Sequence, residues 1–394
     1  MQRTTVTWLV LGGIGWTGLV VIALQLAQGS AVGVGFDLEL LLQGGQDVAA
    51  GRTPYDPALL AGTSPLSTGL FYSYPPPVAQ ALAPFGVVSS TAMLLAWWAG
   101  AMTGLLVVAE ALRRHLAPMR RSRDVLLAVA AVAPLVLPFT VGLLFGNFDV
   151  WFPLLYGSML LAALAPSRQV AIAGGLALVL ASLKLHPASM GLWFLVRAVR
   201  ERRGRPGAEP SGQSLEVVAA AVVGGFVVIV MSLVVGGLGP WTDYLVVIQA
   251  GVGADIVDPR NAGLAAVAAA LVGGDQALAR TLHFAVGLGA IVVTVWAAWR
   301  RSDPLESFAW AAGASLATLP VTWYHYPSAL IPVALAALLR AGSSNHGRVR
   351  VLVVAAGVTA ALALTFLPLI WVASGLVITA ARISRPDPQA PAGR

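Results

Sequence analysis

LALVLASLKLHPASMGLWFL, residues 176–195, carries a single charged side chain, Lys184, which is also the only lysine in the chain. A run this apolar and this long reads as bilayer-crossing helix, because a hydrocarbon core about 30 Å thick takes about 20 residues of α-helix. The lysine interrupts that reading. A cation at a helix centre costs about 2.5–3.5 kcal/mol on insertion scales, less where it snorkels to the interface, and an anionic partner would offset the cost. His186 and Pro187 follow; proline removes a backbone donor and clashes with the preceding turn. The helix is therefore expected to end or break here and to present Lys184 and His186 at one face of the membrane. Two roles fit Lys184: a snorkelling charge at a helix end, or a ligand for phosphate.

The same composition extends over the whole chain. With 58% hydrophobic and 10% charged residues in 394, there are too few polar side chains to clothe a soluble globule. Helices satisfy their own backbone groups in lipid, so the fold expected is an all-α polytopic transmembrane bundle. The absence of cysteine excludes disulfides, thiolate nucleophiles and cysteine metal sites. There is no GxxxxGK[ST] loop, no GxGxxG after a strand, no HExxH and no close histidine pair. No cofactor is expected, and the chemistry read below requires no divalent metal.

A net charge of +7 raises the question of a nucleic-acid partner, which the distribution of arginine answers. Arg113, Arg114, Arg120, Arg121 and Arg123 form one cluster; Arg197, Arg200, Arg202, Arg203 and Arg205 form the next. Arg300 and Arg301, then Arg340, Arg348 and Arg350, complete the set. These are short connectors read as cytoplasmic by the positive-inside rule. No nucleic acid is needed.

Threaded on that rule, a first span near 8–28 is a retained anchor rather than a cleaved signal peptide, and residues 29–75 lie outside. PPVAQALAPFGVV, 76–88, reads as a re-entrant or partial helix before a span at 91–112. Further spans are expected at 124–145, 150–165, 170–185 and 188–200. After the Gly/Pro/Ser-rich linker 201–214 they resume at 215–236, 281–300, 305–321, 327–341 and 351–378. The total is roughly 10–12 crossings. Residues 1–200 and 215–380 would be the two halves of one integrated multi-pass domain in the plasma membrane, with 381–394 a disordered tail.

This threading gathers the unusual polar motifs on the outer side. In GFDLELLLQGGQDVAAG, 35–51, a helix over Asp37–Ala50 puts Glu39, Gln43, Gln46 and Asp47 on one solvated arc. Asp37 points the other way, with Leu40, Leu41, Gly44 and Val48. It is either the helix N-cap, worth about 1 kcal/mol, or a site carboxylate. FYSYPPP brings Tyr72 and Tyr74, GNFD brings Asn147 and Asp149, DPRNAG brings Arg260 and Asn261, and TWYHYP brings Trp323, Tyr324 and His325. The rings fit an interfacial aromatic belt or a cleft for sugar or lipid. His325 would donate to phosphate or tune a carboxylate, and the loop residues fit binding or capping. Polar groups gathered at one face point to a site opening there, whereas a transporter keeps its ionisable groups near midplane.

In this order, the motifs resemble those of the family-87 glycosyltransferases, membrane enzymes of the GT-C fold that include polyprenyl-phosphate-mannose-dependent α-mannosyltransferases. FDLELLLQGGQDVAAGRTPYDP is similar to the family's first loop of an Asp, a short helix and Gly-x-x-Pro-Tyr. YSYPPP is similar to its Tyr-Pro-Pro stretch, GNFD to its Gly-Gln-x-Asn turn, LKLHP to its Lys-Pro motif, and TWYHYP to its Trp and His before a span. Asn147 and Asp149 stand where the pattern has Gln and Asn, and Leu185-His186 separates Lys184 from its proline. The resemblance implies that Asp37 is the catalytic base and that Lys184 and His325, helped by Arg260, sit near the donor phosphate. Tyr72, Tyr74, Asn147, Asp149, His186, Asn261, Trp323 and Tyr324 would then line the substrate site. The expected reaction moves a sugar, mannose first, from a polyprenyl-phosphate donor to a glycolipid or glycan acceptor at the outer face. An arabinofuranose donor is the nearest alternative, and a flippase or transporter the alternative outside enzymes.

The cysteine-free chain makes this topology directly measurable. A cysteine placed at Gln43 should react with a membrane-impermeant maleimide in intact cells, and one at Arg121 only after permeabilisation.

Overall fold

Prolines cut much of the apolar sequence into pieces of unequal length, and those pieces are helices of the molecule. The computed structural model describes residues 3–29, 33–63, 71–204, 213–252 and 256–385. Most of the expected linker, 205–212, and of the expected tail, 386–394, lies outside the described residues. Among the described residues every regular element is helical.

Among the described residues, four helices are long and apolar enough to cross a membrane: Thr5–Gln28, Ser90–Leu116, Ser214–Gly236 and Gln276–Arg300. A fifth crossing results if Ser122–Leu135 and Leu137–Phe145, bent by 70° at their junction, count as one span. Pro134 and Pro138 flank that junction, where missing backbone donors break the hydrogen-bond ladder. The remaining expected spans are shorter apolar helices, including Phe148–Leu164, Arg168–Ser182, Tyr326–Arg340 and Leu369–Ile383. The segment expected at 351–378 divides into His346–Leu362 and Leu369–Ile383, with Pro368 at the break. Fewer helices therefore reach full crossing length than the 10–12 expected, because prolines and a strained turn interrupt the chain where it approaches the polar motifs.

The long helices face outward with apolar side chains. On Ser214–Gly236, Val222 and Phe226 are each 66% exposed and Val234 is 75% exposed, a surface suited to lipid rather than water. Inside, Phe152, Tyr156, Trp193, Phe194 and Phe308 form a buried aromatic core. Its polar atoms are satisfied across the two parts of the sequence: Tyr156 Oη lies 2.8 Å from Ser315 Oγ, and Trp193 Nε1 donates to Ser307 Oγ at 3.0 Å.

The loop after the first span folds onto this bundle as the helix Phe36–Ala49. Glycines allow the close approach. A Cβ at Gly44 would lie 2.9 Å from the Tyr72 ring, and one at Gly45 would lie 2.8 Å from the backbone of Leu82 in the helix Pro76–Leu82. At the other end, Gly35 N donates to Leu144 O at 2.8 Å. Gly146, with φ 66°, ends Leu137–Phe145 and leaves no room for a side chain: a Cβ there would meet Leu38 Cβ at 2.6 Å.

Gly146→Ala should therefore lower stability by about 2 kcal/mol through left-handed strain and collision together. Gly51→Ala shares the positive φ but meets nothing within 4 Å. Thermal unfolding in detergent should show a clearly larger drop for the first variant.

Candidate active site

Five of the residues singled out in the sequence meet in one contact network. Asp37 is the second residue of its helix; the cap position belongs to Gly35, which has φ 81° and makes no side-chain cap bond. Asp37 is thus not the N-cap, although the partial positive charge of a helix start still favours a carboxylate there by about 0.3–1 kcal/mol. Its Oδ2 accepts from Asn147 Nδ2 at 2.7 Å. The other end of the same amide, Asn147 Oδ1, accepts from Lys184 Nζ at 2.9 Å and from the backbone N–H of Asp149 at 3.0 Å. Asn147 is therefore both the cap of the short turn Phe148–Trp151 and a bridge between an acid and a cation.

Asp149 is fully buried and supplies the anion that Lys184 requires. Its Oδ1 lies 2.8 Å from Lys184 Nζ and its Oδ2 lies 3.2 Å from His325 Nε2. Lys184 and His325 are themselves close to fully buried, with side chains 10% and 8% exposed. The turn that carries His325 is stapled to the Asp149 turn by Ser328 Oγ, which donates to Asp149 O at 2.9 Å. Lys184 is also covered by rings, with Nζ 4.7 Å from the Tyr326 centroid and 6.0 Å from that of Tyr74, contacts favourable to a cation.

The chain leaves Arg168–Ser182 through a strained turn that sets Lys184 and His186 in place. Leu185 has φ 65° and ψ −59°, and His186 N donates to Lys184 O at 2.8 Å; together these make a γ-turn of the rare positive-φ kind. Leu185 is the one non-glycine residue with positive φ among the described residues. Such a conformation costs about 1–3 kcal/mol and persists where packing over-determines it. His186 is buried, stacked on Tyr326 at 4.9 Å and edge-on to Phe152 at 5.2 Å. Neither of its ring nitrogens has a hydrogen-bond partner among the described residues.

The remaining predicted residues divide between the rim and the scaffold. Tyr74 packs on Phe148 and accepts at its backbone carbonyl from Tyr55 Oη at 3.0 Å. Tyr72 is buried in a file of rings with Tyr55 and Tyr74, and burial pushes the Tyr55 and Tyr72 phenols up, so both stay protonated. Asn261 is a buried loop clamp: Nδ2 donates to Ile256 O and Pro320 O, and Oδ1 accepts from Gly263 N and Thr322 N. Tyr324 donates to Ala360 O, and Trp323 packs against the main core. Arg260 pairs with Asp258 at 2.6 Å and lies over Trp323 at 5.8 Å. Hydrogen bonds from Arg260 hold the Asp258 carboxyl below the usual range. Among the described residues, Arg260, Asn261, Trp323 and Tyr324 thus form a separate loop assembly that shares no hydrogen bond or ion pair with the Lys184 network. Tyr326 and the γ-turn at Leu185 are the parts the sequence reading missed. Tyr326 was visible as one more ring in TWYHYP, whereas a leucine in a positive-φ turn leaves no signal in sequence.

A family model described as glycosyltransferase family 87 matches residues 72–322, well over half of the chain. The chain belongs to glycosyltransferase family 87. No curated protein matches it. The matched interval includes Asn147, Asp149, Lys184 and the γ-turn of this membrane glycosyltransferase. Asp37 and His325 lie outside the interval and join it through the contacts above.

Chemically, the network places a half-buried carboxylate at one end of an amide and a caged ammonium at the other. Removing one partner of a buried ion pair leaves an uncompensated charge at a cost of about 3–5 kcal/mol. Asp149→Asn should show a loss of that order on unfolding. The double variant Asp149→Asn, Lys184→Met should recover more than half of it in a double-mutant cycle.

Proposed function

We propose that this glycosyltransferase moves a sugar, mannose first, from a polyprenyl-phosphate carrier to a hydroxyl of a glycolipid or glycan at the outer face of the plasma membrane. One observation carries the reading: the Asn147 amide holds Asp37 on its nitrogen and Lys184 on its oxygen. A proton acceptor and a cation therefore stand on either side of one small group, as a transfer between an alcohol and a phospho-sugar needs.

Asp37 is the general base. Asn147 is its only side-chain partner among the described residues and binds a single carboxylate oxygen, so the other is available to an acceptor hydroxyl. Base catalysis of this kind is worth about 10²–10⁴ in rate. As the hydroxyl oxygen attacks the anomeric carbon, its proton passes to Asp37 and the bond to the carrier phosphate breaks. Attack from the face opposite the leaving group inverts the anomeric centre, so a β-linked donor gives an α-linked product.

Lys184 stabilises the negative charge that develops on the departing phosphate. Its ammonium carries three N–H groups; two are directed to Asn147 and Asp149, leaving one for a phosphate oxygen. His325, on the other carboxylate oxygen of Asp149, adds a second donor, and His186 lies behind them with both nitrogens unused. Tyr72 and Tyr74 wall the approach from the first loop. The assembly of Arg260, Asn261, Trp323 and Tyr324 shapes the loop beside the site rather than touching the reacting atoms. A single lipid phosphate can be held by these cations alone.

Asp37→Asn should lower transfer from radiolabelled polyprenyl-phosphate-mannose by about 10²–10⁴-fold with unfolding unchanged. Glu39→Gln, on the exposed arc of the same helix, should stay within a few-fold of wild type. Full activity in Asp37→Asn would remove the base from this assignment. Transfer from an arabinofuranosyl donor in place of the mannosyl one would change the sugar while leaving the mechanism standing.

A further inference from the structure

At the end of the bundle rich in arginine, six arginines and three carboxylates form a second polar network unrelated to Asp37. Glu306, fully buried, meets Arg301 at 3.4 Å, Arg382 at 3.8 Å and Arg385 at 2.9 Å. Asp303 meets Arg340 at 2.8 Å and Arg385 at 3.6 Å. Glu201 lies 3.6 Å from Arg197. Arg200 spends Nη1 on the carbonyls of Ala298 and Arg301, capping the negative end of the helix Gln276–Arg300. Among the described residues the network thus sets six arginines against three carboxylates. The same end also carries Arg202, Arg203 and Arg300, against Glu216.

Arg197 shows where the deficit is felt. It is 7% exposed, stacked on Trp193 at 5.0 Å, and its Nε and Nη1 are buried without a hydrogen-bond partner among the described residues. Its nearest carboxylate, Glu201, is taken by Ser214, whose Oγ donates to Glu201 Oε1 at 2.7 Å. Arg301 Nε, with its guanidinium 4.4 Å from the Trp296 ring, is also buried and has no hydrogen-bond partner among the described residues. Leaving buried guanidinium donors unmade is costly, and a guanidinium fork matches the oxygens of a phosphate.

We infer that the arginine-rich ends of the packed helices Ser189–Arg202, Ser214–Gly236 and Gln276–Arg300 bind the phosphodiester of an acidic phospholipid, with Arg197 as its principal ligand. The headgroup supplies the missing negative charge, and its acyl chains lie along the exposed apolar face of Ser214–Gly236. Acidic headgroups bind in basic pockets of this kind between membrane helices.

The test is thermal unfolding of the full-length protein in neutral detergent, without sugar donor, so that its outcome is independent of the reaction assigned above. Added phosphatidylglycerol should raise the unfolding temperature by about 4 °C or more, and phosphatidylcholine by much less. Arg197→Gln should lose most of the rise and Arg197→Lys should keep part of it. Arg348→Gln, which removes an exposed charge, should keep it all. An equal rise in Arg197→Gln and wild type, or the same loss in Arg348→Gln as in Arg197→Gln, would overturn the site. An equal rise with inorganic phosphate alone would overturn the lipid as its ligand. Should Arg197→Gln fail to fold, Arg197→Lys against Arg348→Gln carries the same comparison.

Discussion

The charge pair between Asp149 and Lys184 is the constraint around which the candidate site is organised. Neither ion would be tolerated alone at this depth, since the effective penalty of burying one is several kcal/mol even after relaxation. Each satisfies the other, and their remaining valences recruit the rest. Asp149 reaches His325, and Lys184 reaches Asn147, which in turn reaches Asp37. Polar groups that would each be unfavourable in an apolar bundle thus fix one another's positions, and four distant parts of the chain acquire one geometry.

Much of this was legible in the sequence because lipid makes polar residues conspicuous. A lone lysine in an apolar run calls for an anion, and the structure supplies Asp149. The helical phase of the first loop was readable for the same reason. Glu39, Gln43 and Gln46 are exposed, while Leu38, Leu41, Leu42, Gly44 and Gly45 are buried. The cap is different: a glycine with positive φ starts that helix, and the periodicity of side chains says nothing about which backbone conformation precedes it.

What the sequence concealed is pairing and interruption. Arg260 and Lys184 look alike as isolated cations beside polar loops, yet Arg260 is satisfied by a carboxylate two residues away whereas Lys184 draws on a partner 35 positions earlier. Local composition distinguishes a self-contained loop from a long-range network poorly. Helix length was over-read for a related reason. Hydropathy continues through Pro134, Pro187 and Pro368, but hydrogen bonding does not, so apolar stretches that suffice to cross a bilayer become bent or abbreviated helices around the site.

The bond from Ser328 to the backbone of Asp149 spans 179 residues, and this separation has a bearing on biogenesis. At a synthesis rate of about 5–20 residues per second, the strand of polypeptide bearing Asp149 emerges roughly ten to forty seconds before its histidine neighbour exists. Lys184, only 35 residues after Asp149, is synthesised early in that interval, so the acid's cation exists long before the serine that binds its backbone.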